Sequence, residues 1–155
     1  SFILGVERWP IKMGKISKPG IPYGVNRDFM QFNSLQVEWL SGGCVLHQRK
    51  NLILDNYYPF LGRAALEDLF HSLLLRRKGV RLMICRSSSC KVEAVQTEVS
   101  YKAIFHEYIV TRAYVKMAGL SIPRLVIWLV LSICRKFTSD KISNAKKALN
   151  HIYVK

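Results

Sequence analysis

Apolar and polar positions first fall into order near Phe32. Leu35, Val37 and Trp39 alternate with Gln36 and Glu38, which predicts a half-buried strand. Gly42-Gly43 predicts a bulge or turn, and Cys44, Val45 and Leu46 resume the apolar pattern. A long bent strand or a hairpin is therefore expected over 34–48, a short strand over 51–55 and a loop over 56–60. The period then changes. Leu66, Leu69, Phe70, Leu73 and Leu74 fall at i, i+3, i+4, i+7 and i+8, the stripe of an amphipathic helix. Glu67 and Asp68 early and Arg76, Arg77 and Lys78 late suit the helix dipole, and Gly79 is the stop.

Residues 80–85 are apolar enough for a central strand, 86–89 predict a turn, and 90–95 a hairpin partner. From 99 to 116 the pattern opens as an alternation, with Val99, Tyr101, Ala103 and Phe105 on one face, which predicts a further strand. The run 125–134, broken only by Ser132, suits a fully buried strand; periodicity alone does not separate it from a buried helix. Ser139 and Asp140 then cap a terminal helix, with Ile142, Ala145, Leu149 and Ile152 on one stripe. Residues 1–31 read differently. Pro10, Gly14, Pro19, Gly20, Pro22 and Gly24 exclude a long helix or central strand there. The chain thus predicts an α+β fold: a mostly antiparallel sheet with one long inserted helix and a C-terminal helix over 32–155, preceded by an irregular basic arm over 1–31. That arm is expected to pack on the domain itself, on a neighbouring subunit or on a polyanion.

Charge changes the picture most. Lys and Arg number 24 against 10 acids, a net charge of +14. Solubility needs only about 2–8 charges in a small domain. The excess creates a positive potential that draws nucleic acid, anionic lipid heads or an acidic protein. With hydrophobic residues at 50%, a mostly disordered chain is excluded. Cys44, Cys85 and Cys134 sit in apolar stretches and read as buried free thiols in a reducing compartment; with Cys90 they give no zinc spacing with a second ligand pair. The sequence shows no basic n-region with a long apolar h-region, and its longest apolar run is half of what a spanning helix needs.

Catalytic signatures are missing. There is no P-loop, dinucleotide fingerprint, Gly-x-Ser-x-Gly elbow or His-Glu-x-x-His. His106 and Glu107 would point to opposite faces of a strand, and His47, His71 and His151 stand alone. The expectation is a protein that is not an enzyme and uses no metal or cofactor. The interaction residues are instead basic. They are Arg8, Lys12, Lys15 and Lys18 in the arm, Arg76, Arg77 and Lys78 after the first helix, and Arg135, Lys136, Lys141, Lys146 and Lys147 near the carboxyl end. Phe2, Leu4, Trp9 and Ile11 would give the arm its grip on another copy or on a membrane surface.

The order of elements resembles a rhabdovirus matrix protein of the plant-infecting type. Residues 35–46, 66–77 and 79–91 follow that family's strand, amphipathic helix and apolar strand with a small-residue turn. Residues 99–110 are similar to its later strand and 136–149 to its final helix; the family's Pro-rich budding motif is not reproduced at 56–60. The resemblance implies a structural protein of the virion and host-cell cytoplasm. It would condense the nucleocapsid protein–RNA complex, self-assemble into a homo-oligomer or lattice, and lie peripherally on the anionic inner membrane leaflet. The alternative is a basic RNA-binding subunit of a ribonucleoprotein, such as an organellar ribosome held by its rRNA.

Overall fold

Two clusters of apolar side chains organise the fold, and each draws on residues far apart in the chain. In this computed structural model the described residues are 12–26, 28, 30–42, 45–55, 57–60, 66–88 and 100–153, with backbone alone from 142 onward. The architecture is α+β, ordered β1 (Ser34–Val37), α1 (Glu67–Arg77), β2 (Leu82–Cys85), α2 (Tyr101–Ala118) and α3 (Ile122–Tyr153). β1 and β2 pair antiparallel, with Val37 opposite Leu82 and Leu35 opposite Ile84. Both strands alternate, as expected of β1: Val37 and Leu82 are buried, while Gln36 and Met83 face out. β2, whose apolar run predicts a central strand, pairs only with β1 among the described residues. Leu75 of α1 closes this smaller cluster.

The larger cluster joins α1 to the helical pair. Leu69, Phe70 and Leu73 pack with Val110, Tyr114 and Val115 of α2 and Leu125 of α3. The Phe70 and Tyr114 rings meet edge to face at 5.6 Å. Both α1 and α2 end in a Schellman arrangement. Gly79 and Gly119 are left-handed, and Val80 N–H donates to the Leu75 carbonyl as Leu120 N–H does to that of Val115. Only three residues separate α2 from α3, so the pair is an antiparallel hairpin. At a 1.5 Å rise per residue α3 is roughly 48 Å long and α2 roughly 27 Å, so α3 projects well past its neighbour.

Several expected elements take another form. The described part of the expected strand, 100–116, is helical instead: Ser100 caps α2, its hydroxyl accepting from Ala103 N–H at 3.1 Å. Ile104, Val110, Thr111, Tyr114 and Val115 then bury one helical face. The run 125–134 is also helical, inside an α3 that starts at Ile122 with Pro123 in its first turn, well before the cap expected at 139 and 140. β1 stops at Val37 because the next polar groups are taken elsewhere. Glu38 N–H donates to the Gly14 carbonyl at 2.6 Å, Trp39 Nε1 to Tyr23 and Leu40 N–H to Ser72 Oγ. In place of a strand over 51–55, Arg49–Asn51 form a 3-10 turn followed by an extended segment with Leu54 90% exposed. The expected hairpin partner at 90–95 lies outside the described residues.

Residues 12–26 pack on the domain itself. Ile16 bridges Pro22, and the Ser17 hydroxyl both accepts from and donates to Ile21 at 2.9 Å. Gly20, at φ +86°, presses on α2 so closely that an added Cβ would lie 2.5 Å from Val115.

Candidate functional site

The basic residues named from the sequence divide by what their neighbours ask of them. Lys15 Nζ pairs with Glu38 at 3.7 Å. Arg76 donates to the Glu38 carbonyl, and Arg77 donates to the Met117 carbonyl at the end of α2. Both arginines approach buried Tyr114, whose phenol burial pushes up to about 12 while the guanidinium charges pull it back. Lys18 is exposed, and its carbonyl accepts from Ser121 N–H at 3.0 Å. Arg77 and Lys18 thus reach the α2–α3 turn, while Lys15 and Arg76 meet at Glu38. Lys136 sits apart on α3, tied to Asp140 at 2.6 Å, and Lys141 lies over the Phe137 ring at 4.6 Å. Arg135 and Lys78 are exposed. Lys12 is half-buried. Arg8 and the expected self-association residues Phe2, Leu4, Trp9 and Ile11 lie outside the described residues, as do the side chains of Lys146 and Lys147.

Two features escape the sequence reading. The first is the outer face of α3. Val126, Ile127, Val130, Leu131 and Phe137 are all exposed, Val130 at 53% and Phe137 at 54%, with Cys134 among them. At about 100° per residue these six positions share an arc of roughly 140°. Leu125 and Trp128 on the far side pack into the core. Arg135 borders the stripe and Lys141 continues it. Arrangement of this kind, an apolar face edged by cations, is what a helix lying in a membrane interface presents. Among the described residues no helix is long and apolar enough to cross a membrane.

The second feature is a cleft of about 730 Å³ between the 45–51 segment and the α1–β2 turn, edged by Lys50, Lys78 and Arg81. His47, with Leu40, Val45 and Leu75, also lines a smaller cavity of about 240 Å³ that holds Tyr57, Asp68 and His71. His47 meets His71 edge-on at 5.0 Å, and Tyr57 stacks on His71 at 5.4 Å. Burial, helped by His47, lowers the His71 pKa, while burial and the neighbouring Glu67 raise that of Asp68. No group of three metal-ligating side chains exists among the described residues. His106 and Glu107 are exposed on α2, where adjacent side chains diverge by roughly 100°.

The thiols also differ from expectation. Cys85 and Cys134 are free and exposed, because Cys85 takes the outward phase of β2 and Cys134 falls on the outer stripe of α3. Cys44 and Cys90 lie outside the described residues. No family model, curated protein or solved structure matches this chain.

Proposed function

We propose that the protein is a peripheral structural protein of the viral matrix type: it lays α3 on an anionic membrane leaflet, assembles there with further copies and condenses a ribonucleoprotein. The exposed stripe of α3, edged by Arg135 and Lys141, is the observation that carries this reading. Apolar side chains at this density on one helix face lose free energy only when covered. Each Lys or Arg brought near an anionic surface adds about 1 kcal/mol. A net charge of +14 opposes contact between free copies, so assembly is expected to follow neutralisation on the polyanion.

The test is sedimentation with phosphatidylserine-containing vesicles across a salt series, free of RNA, with oligomer size measured alongside. Salt-sensitive binding, oligomers that grow on vesicles, and protection of a lone Cys134 from thiol reagents support the proposal. A second reading, an RNA-binding ribonucleoprotein subunit, draws on Lys15, Lys18, Arg76 and Arg77, cations of the kind that contact a phosphate backbone. A monomer that ignores vesicles and binds RNA favours that reading and overturns the first.

A further inference from the structure

The cleft between the 45–51 segment and the α1–β2 turn has a chemistry of its own. Lys50 enters from the 3-10 turn, Lys78 from the end of α1 and Arg81 from the start of β2. No carboxylate among the described residues lines it, and neither described ion pair involves these three cations. Three like charges around one concavity repel unless an anion enters. The carbonyl end of α1 contributes only about half a negative charge against them, and Gly79 and Val80 N–H groups already satisfy two of its carbonyls. Gln48 and Asn51 add neutral polar groups on the same wall.

The rim identifies the source of that anion. Leu46 is 99% exposed and Met83 46% exposed, both at the cleft edge. Among the described lining residues, only His47 carries an aromatic ring, so the walls offer little of the stacking platform a nucleic-acid strand uses. A polyanion on one side with apolar chains on the other describes a phosphorylated headgroup still attached to its bilayer.

We infer that this cleft binds the phosphomonoester-bearing headgroup of an anionic lipid, with Lys50, Lys78 and Arg81 on the phosphates and Leu46 and Met83 in the interface. The inference rests on the membrane reading above and adds a lipid preference to it. α3 answers to surface charge, whereas the cleft answers to phosphate valence.

The experiment compares the full chain on two vesicle types of equal total charge, one carrying phosphatidylserine and one phosphatidylinositol bisphosphate. The wild type is expected to favour the bisphosphate by at least roughly five-fold. Lys50→Gln with Arg81→Gln should bring the ratio to unity, whatever change both vesicle types share. Lys78→Gln, at an exposed helix end, gives the same reading independently. Equal binding by the wild type, or a preference that survives these variants, overturns the cleft inference and leaves phosphatidylserine binding, and so the α3 reading, standing. Loss of binding to every vesicle overturns both. Soluble inositol trisphosphate that binds without vesicles, with no vesicle preference, overturns the lipid source and assigns the cleft to a free polyphosphate.

Discussion

α1 and α3 are both apolar helices with basic residues near one end of their apolar stretch, and the fold treats them in opposite ways. α1 turns Leu69, Phe70 and Leu73 into the core, where Leu69 and Phe70 are at most 1% exposed. α3 commits Leu125 and Trp128 to that core and leaves Val126, Ile127, Val130, Leu131 and Phe137 in solvent. Apolar pattern says that a face must be covered; it does not say by what. For α1 the cover is the rest of the chain. For α3 none of the described residues supplies it, and the membrane proposed above is the cover that suits the neighbouring cations.

Substitution separates the two helices most sharply. Phe70→Ala removes a ring packed edge to face on both Tyr58 and Tyr114. A loss of about 3–5 kcal/mol is expected in denaturant unfolding. Val130→Ala should stay within about 0.5 kcal/mol, as exposed substitutions do, while weakening vesicle binding. Equal destabilisation by both would mean that the α3 stripe is covered within the chain.

Next in size is the seam between residues 12–26 and α2. Gly20→Ala requires a side chain at φ +86° and places its Cβ 2.5 Å from Val115. A cost of about 1–3 kcal/mol is expected from overpacking. A change near zero in the unfolding midpoint would show that this segment does not bear on the stability of α2. Smaller again is Ser100→Ala, which deletes the hydroxyl that accepts from Ala103 N–H. It should cost about 1 kcal/mol and lower helical ellipticity at the start of α2.

That cap also marks where sequence reasoning failed. α1 was legible because dipole order, stripe and stopping glycine agree, β1 because alternation over four residues needs no wider context, and β2 as a strand, though not as an edge, from its apolar run. In α2, Tyr101, Ala103 and Phe105 continue a strand-like alternation in the sequence, and only the longer spacing of Ile104, Val110, Thr111, Tyr114 and Val115 shows the helix. Ser100 and Gly119 were available as boundary signals. In α3 the run 125–134 carries apolar residues on every side, so no period is visible, and the start signals were Ser121 and Pro123. The basic residues were half legible: Arg76 and Arg77 are visible as cations, but not as donors to the Glu38 and Met117 carbonyls. Lys50 and Arg81 could not be joined, since nothing local places segment 45–51 beside the α1–β2 turn.

The smallest expected effect lies beside the cleft, in the contact of His47 with His71. Burial first, and His47 second, hold the His71 pKa below its ordinary 6.5. Its neutral form is favoured in the folded state, so the unfolded chain takes up the proton first. Stability from this group is full above pH 6.5 and declines as pH falls through that value toward the folded pKa. Asp68 has the reverse sign. Burial and Glu67 raise its pKa above 3.8, so the folded state gains the proton first and stability recovers as pH falls through the raised value toward 3.8. The expected profile of unfolding midpoint against pH is a decline below 6.5 followed by a partial return. His71→Phe, which keeps a ring against Tyr57, should remove the decline, and Asp68→Asn should remove the return. His47→Gln should soften the decline only in part, because burial is the larger cause. A decline that His71→Phe leaves unchanged would place the titrating group elsewhere. It would also detach the histidine pair from the acid response of the domain.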